Sequence, residues 1–380
     1  MLYNRNAAAT SCGILHFSDS LVSIFLTFSH RFNYYSYLCI MTSKKRSNIL
    51  GKAFKYIIPM LVSVGLCYVL FTGVDFNQMM QQITRQGSRL WWIALTLSIA
   101  VFSHIFRAMR WNIQLRALGI NTPLSTLVDS IFGTYAVNLV LPRLGEVWRT
   151  GFIAQRQNVS FTKVFGSMIA ERFADMVTVL SLTLLTFLLA TDKIKAFIMQ
   201  YPQAYEALAS LATSPWLWVA IATCAIGIWV LFTRMPDNPI IAKIKGFITG
   251  MWQGFAAIAV MKGKVKWLIL TAAIWGCYFM QLYVAFHAFD CTAAALDAHG
   301  ILVVLVCFVL SSIAMGIPSN GGIGPWQIAV MFGLSMYGLT DTTETLAFAN
   351  LVLGTQTLLL IVLGLYAFVH ISLTKAKQVH

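Results

Sequence analysis

The chain has 380 residues, is 58% hydrophobic, and carries only 11% charged residues. Soluble domains carry about a quarter charged residues, so this composition points to a polytopic membrane protein, and no hydrophilic stretch is long enough for a soluble catalytic domain. The formal net charge of +14 would suit nucleic acid, but in a membrane protein it reports cytoplasmic loops facing anionic lipid.

Residues 1–40 read as an upstream extension. An apolar run at Leu21 to Leu26 is interrupted by His30, Arg31 and Asn33 before it reaches spanning length. Met41 opens a basic tail (41–55) with Lys44, Lys45 and Arg46 and is the expected initiator. Spans need about 20 mostly apolar residues, and full candidates lie at 56–73, 89–106, 166–190, 215–233, 267–289 and 344–371. Two further apolar regions, 124–157 and 299–340, are interrupted by proline and glycine.

Basic residues set the orientation. Lys44 to Lys55 place the N-terminus in the cytoplasm. Arg107, Arg110 and Arg116 read as the return of the second span to that side. Arg156 and Lys163 precede the span that starts at 166, so 124–157 enters and leaves on the cytoplasmic side. Asp192, Lys193 and Lys195 mark an outer exit. The basic loop from Arg234 to Lys266 is cytoplasmic, and Asp290 and Asp297 are outer. Region 299–340 therefore enters and leaves on the outer side, and a C-terminal tail (373–380) ends in the cytoplasm. With the first hairpin counted on the cytoplasmic side, 21 Lys and Arg lie there against four in outer loops. The positive charge is thus used for orientation, and no nucleic-acid partner is expected.

The expected fold is all-α: about six full spans plus two interrupted hairpins, or 8–10 hydrophobic helices. Its halves, 56–195 and 215–372, share the order span, span, hairpin, span in opposite orientation. Pro142 and Pro318 are 176 residues apart, Leu90 and Trp267 177, and Gly166 and Glu344 178. This is the layout of an inverted repeat, in which a matched pair of interrupted segments marks the binding site. Non-helical backbone at membrane depth is tolerated only inside protein or against a cavity.

The first interruption carries charge. Pro142 suits the first position of a returning helix. Arg143, Glu146 and Arg149 follow at three-residue spacing, so they are expected along one side. Charges at that depth pair with each other or hold a ligand. An arginine fork fits phosphate oxygens, so an anionic head group and a self-satisfied lock both remain open. Gly145 lies in the same turn. Asn138, a polar residue in an apolar arm, either satisfies the broken backbone or contacts ligand. Glu171 and Asp175 share a face four residues apart and need a cation between them; Arg143, Arg149 and Arg172 are the available partners. Snorkelling interfacial charge is the plainer alternative.

The second interruption is neutral. Asn320, Gly321, Gly322 and Gly324 follow Pro318 and precede a helix expected to start at Pro325. Free N–H groups there could hold an anion, and Gln327 would point back toward the break. The seven cysteines are scattered with no paired spacing, and they read as core filling. His104 and His287 read as core histidines. No metal-ligand or nucleophile pattern is present, and no cofactor is expected.

Arg110-Trp111 with Leu118-Gly119, Asn138-Leu139 before Leu141-Pro142-Arg143-Leu144-Gly145-Glu146 and Arg149, Glu171-Arg172 with Asp175, and Pro318 with Gly321-Gly322-Ile323-Gly324 carry a resemblance. The chain resembles the lysylphosphatidylglycerol synthase transmembrane, flippase-like family over about 50–372. That resemblance implies a bacterial or archaeal inner-membrane protein that moves or handles polar lipids, with site residues at Pro142, Arg143, Gly145, Glu146, Arg149, Glu171, Arg172, Asp175, Pro318, Gly321, Gly322 and Gly324. It departs from the family pattern at Gln327, where a glutamate is common. The family's aminoacyl-transferase domain is absent, so the chain is not expected to make lysyl lipid. The expected function is alternating-access handling of a phospholipid or polyprenyl-phosphate head group. The rivals are an intramembrane head-group enzyme, or an accessory subunit partnering lipid- or glycan-synthesis enzymes.

Overall fold

The computed structural model describes residues 76–141, 143–200, 261–317 and 319–376, with isolated helical positions between 210 and 256. The upstream segment, the proposed start at Met41, the basic tail, the span at 56–73, Pro142, Pro318 and the last four residues lie outside the described residues. So do most of the span at 215–233 and of the basic loop after it.

Every regular element among the described residues is helical. In an apolar solvent each backbone N–H and C=O must find its partner inside the segment, and a helix does this with local bonds alone. In chain order the elements are α1 (Phe76–Arg85), a 3₁₀ turn (Gly87–Leu90), α2 (Trp91–Ala117), α3 (Leu124–Val140), α4 (Gly145–Arg156), α5 (Phe161–Leu189) and α6 (Thr191–Gln200). After the next stretch come α7 (Lys264–Phe286), α8 (Asp290–His299), α9 (Ile301–Ala314), α10 (Pro325–Ser335) and α11 (Thr342–Ala376).

Four of these are long and apolar enough to cross a membrane: α2, α5, α7 and α11 as far as Thr374. At 1.5 Å per residue, α11 is about 50 Å long, against a hydrocarbon core of about 30 Å. The outer face of α5 shows Phe173, Met176, Leu180, Leu184 and Leu188 to the surroundings. A water-facing surface would not stack apolar side chains in this way, whereas a lipid-facing one does. The acidic residues of α5, Glu171 and Asp175, are inside instead.

Two short elements differ from the sequence reading. The polar stretch at 192–195 is helical (α6), not a plain exit loop. The loop expected around Asp290 and Asp297 is α8, which turns by 114° into α9. Gly300 makes that turn with φ of 64°, a left-handed conformation that costs glycine little.

α2 packs along α7, α3 along α11 and on α4, α9 on α10 and α5, and α10 on α11. One apolar core gathers Phe286, Phe289, Val304, Val330 and Phe348. A second gathers Trp111, Leu115, Leu127, Ile131 and Ile153. It is this second core that lies against the charged groups described next.

Candidate functional site

α2 and α5 bring two pairs of opposite charges face to face. Arg107 and Arg110 lie three residues apart on α2, and Glu171 and Asp175 four apart on α5, so each pair shares a side of its helix. Arg107 bridges the acids, with Nη1 3.2 Å from Glu171 Oε1 and Nη2 3.3 Å from Asp175 Oδ2. Arg110 Nη2 lies 2.8 Å from Asp175 Oδ1 and 3.3 Å from Glu171 Oε1. Its Nη1 donates to Thr271 Oγ1 on α7.

α4 adds the rest. Arg149 Nη2 is 3.1 Å from Glu171 Oε2, and its guanidinium stacks over the Trp111 ring at 4.3 Å. Trp111 is held by Nε1 donating to Ser167 Oγ. Glu146, in the first turn of α4, pairs with Arg172 at 3.3 Å; a carboxylate at a helix N-terminus also meets the positive end of the helix dipole. Arg172 reaches Asp175 at 3.8 Å.

Arg110, Arg149 and Glu171 are fully buried, and Arg107 nearly so. Arg172 is the rim, with its side chain 38% exposed. Four guanidiniums face three carboxylates, which leaves one positive charge. The Nε atoms of Arg107, Arg110, Arg149 and Arg172 are all buried without a hydrogen-bond partner among the described residues. A buried donor without an acceptor costs free energy, so the cluster is rich in both charge and donors.

The local backbone explains how α4 starts. The returning arm begins at Gly145, not at Pro142, because residues 143 and 144 form the turn. Asn138 resolves one open question: its Oδ1 accepts from the Gly145 N–H at 2.8 Å, and its Nδ2 donates to Glu146 at 3.2 Å. It thus satisfies the broken backbone and fixes the glutamate. Gly145 leaves no room for a side chain, since a Cβ there would collide with the Thr134 carbonyl oxygen.

Two sequence expectations are corrected by this geometry, and one alternative drops out. Arg143, Glu146 and Arg149 do not form one side. Arg143 precedes the helix in a left-handed conformation, with φ of 64°, and donates to the Met315 and Gly316 carbonyls at the end of α9. Glu171 and Asp175 do not snorkel; they are buried. Arg107 and Arg110 are not loop charges setting orientation, since both lie within α2 and are buried. Sequence reasoning missed these two as site residues. The available signal was their three-residue spacing inside an apolar helix, with Trp111 beside them.

The second interruption is built differently. Gly321, Gly322 and Gly324 have φ of 63°, 87° and 95°, which any side chain would strain. The Asn320 carbonyl accepts from Ile323 N–H and closes the turn. Gln327 Oε1 accepts from the Gly324 N–H at 2.6 Å, and Nε2 donates to Asn350 on α11 at 2.8 Å. One N–H of the expected anion site is therefore capped by the chain itself. The two tips touch: a Cβ on Gly321 would lie 2.6 Å from Leu139 Cδ2.

His104 is buried and His287 half-buried. The His104 ring lies tilted against Tyr135, with centroids 4.6 Å apart, and His287 Nδ1 lies 3.1 Å from the Tyr283 carbonyl. No cluster of metal-ligating side chains occurs among the described residues.

Residues 56–364 match the family described as lysylphosphatidylglycerol synthase TM region. The chain belongs to that family. It is also similar to the UPF0104 membrane protein PH1989 of Pyrococcus horikoshii, at 24% identity over 293 residues, covering 72% of this chain and 84% of that protein. No solved structure matches it. Membership of this family and the apolar helices together make it an integral membrane protein. The buried charge cluster lies wholly within the matched residues.

Proposed function

We propose that this protein is a flippase-like carrier of polar lipids, with the cluster on α2, α4 and α5 receiving the anionic part of the head group. The observation that carries this reading is the imbalance of the cluster: four buried or half-buried guanidiniums against three carboxylates, with four Nε–H donors lacking an acceptor. An anion supplies both the charge and the acceptors. Acceptors of this kind are also worth more inside the protein than in water, because the local dielectric is low.

Alternating access is supported by the helix packing. Exchanging α2 with α7, α3 with α9, α4 with α10 and α5 with α11 turns four pairings into four others that also occur. α3–α4 becomes α9–α10, α2–α3 becomes α7–α9, α4–α5 becomes α10–α11, and α3–α11 becomes α9–α5. The pairing of α2 with α7 maps onto itself. Matched packing of this kind is expected of an inverted repeat, although the α2–α5 and α2–α11 pairings have no counterpart of that strength. The remaining loop lysines and arginines favour hairpins on opposite sides with both termini in the cytoplasm. In this reading the protein lies in the cell membrane of a bacterium or archaeon and acts on lipids without covalent chemistry. Lipid- or glycan-synthesis enzymes would supply its cargo. Cysteine labelling tests the topology: Gln157→Cys should react from the cytoplasmic side and Asp341→Cys from the outer side. Reaction of both from one side removes the inverted repeat.

Reconstitution tests the activity. Vesicles containing the protein and a fluorescent phosphatidylglycerol should lose inner-leaflet fluorescence to an external quencher faster than empty vesicles. Glu146→Gln should slow that loss about tenfold, since it frees Arg172 and removes a charge-assisted bond. Equal rates with and without wild-type protein would end the transport reading.

A further inference from the structure

We infer that Arg143 is a lipid-phosphate docking residue whose occupation separates the tips of the two hairpins. This rests on the carrier reading above and adds to it the atom that meets the ligand first and the contact that ligand must break.

The reasoning starts from the charge. Arg143 is exposed, and among the described residues it makes no ion pair with a carboxylate, unlike Arg107, Arg110, Arg149 and Arg172. Among the described residues its hydrogen-bond partners are two neutral oxygens, the carbonyls of Met315 at 3.1 Å and Gly316 at 2.7 Å. These lie at the C-terminal end of α9, the negative end of its dipole. The contact is favourable, but it is weaker than a full counter-ion.

The surroundings identify the source of an anion. Leu141, Ile313, Met315 and Ile317 flank this contact and are 38%, 49%, 45% and 47% exposed. A charge set among exposed apolar side chains of a membrane protein meets lipid, whose tails can stay on those side chains while the phosphate reaches the guanidinium. Free phosphate gains nothing from the apolar flank.

The geometry then couples docking to separation. A guanidinium grips phosphate through two parallel N–H bonds, either Nε with Nη2 or Nη1 with Nη2. Both grips use Nη2. Both observed bonds to α9 also come from Nη2. A bidentate phosphate therefore displaces at least one carbonyl. The bonds it weakens join the first hairpin to the second, beside the Leu139–Gly321 contact. Arg143 also holds an unfavourable left-handed backbone, with φ of 64°, which non-glycine residues keep only when their surroundings impose it. Release of the side chain removes part of that constraint.

The test measures the tips directly. In the full chain with its native cysteines replaced, spin labels go on Leu141→Cys and Ile317→Cys, and their separation is read in maltoside micelles. Short-chain phosphatidylglycerol should shift the distance distribution to longer values. A phosphate-free galactolipid of equal chain length should leave it unchanged, and so should inorganic phosphate at the same concentration. Arg143→Gln should give the longer distance without lipid and show no further shift when lipid is added, since the bonds to α9 that lipid would displace are already lost. Arg143→Lys, which keeps the charge but not the fork, should fall between them. No shift with phosphatidylglycerol, or an equal shift with galactolipid, overturns the inference. An equal shift with inorganic phosphate overturns the lipid assignment. A normal lipid response in folded Arg143→Gln overturns the role of Arg143. If tips separate on lipid but vesicles show no translocation, the carrier reading fails and the docking site stands; translocation without separation has the opposite meaning.

Discussion

The two interrupted hairpins occupy matching places in the chain but are stabilised by opposite means. The first, α3 and α4, carries its break on charge. Asn138 satisfies Gly145, Glu146 meets Arg172, and Arg149 meets Glu171. The second, α9 and α10, has no charged residue between Ile301 and Ser335. It relies on glycines with positive φ, an amide cap from Gln327, and close backbone approach at Gly333 against Cys307. One architecture thus accepts two solutions to the same problem of unpaired backbone at membrane depth. Only the charged one brings buried guanidiniums to its break.

The largest effect that could break this contrast lies in the charged half. Glu171 answers Arg107, Arg110 and Arg149 together. Glu171→Gln should leave three buried guanidiniums undercompensated and cost about 3–5 kcal/mol, the usual penalty for removing one side of a buried pair. Thermal unfolding in detergent, with expression level beside it, measures this. A melting point equal to wild type would show that water or lipid already neutralises the cluster.

A smaller effect is expected in the neutral half. A Cβ on Gly333 would lie 2.7 Å from Cys307 Sγ and 3.0 Å from its Cα. Gly333→Ala should force α9 and α10 apart at a cost of about 1–3 kcal/mol, again read from melting. Gly333→Ala combined with Cys307→Ala should recover only part of this, because the backbone contact persists. Full recovery would mean that the sulfur alone sets the distance.

The smallest effect sharpens the comparison at Gln327. Gln327→Glu keeps an oxygen for the Gly324 N–H but loses the donor to Asn350. The expected cost is about 1 kcal/mol, with translocation within about twofold of wild type, since a twofold change corresponds to only a few tenths of a kcal/mol. A tenfold change in translocation, or a new dependence on pH between 4 and 7, would show that the second hairpin handles charge after all.

Some of this was legible beforehand, and particular residues show why. The apolar runs that became α2, α5, α7 and α11 were visible because hydropathy over about 20 residues is a local property. Pro325 marked the start of α10 correctly, since proline at a first helical position loses no hydrogen bond. The same rule applied to Pro142 gave the wrong start for α4. There Asn138 caps Gly145 instead, and that bond joins residues across the turn. The short helix α8 was missed because Asp290 and Asp297 read as outer loop charges, and its sharp turn into α9 is made at the single Gly300.

By itself the amino-acid sequence determined the class of the molecule: helical, membrane-embedded, with two breaks in matching places and a charged first hairpin. Those properties follow from composition and from local spacing. Only the tertiary structure decided what the charges do. Arg107 and Arg110 look the same in sequence whether they snorkel to a surface or turn inward. Their partners, Glu171 and Asp175, are more than sixty residues away. Arg143, Glu146 and Arg149 share a local spacing but part company in space, because a left-handed turn at Arg143 sends its side chain to α9 while the helix carries the other two into the cluster. Local spacing selects which side chains can share a face. Which partner each finally meets is decided by the packing of helices distant in the chain.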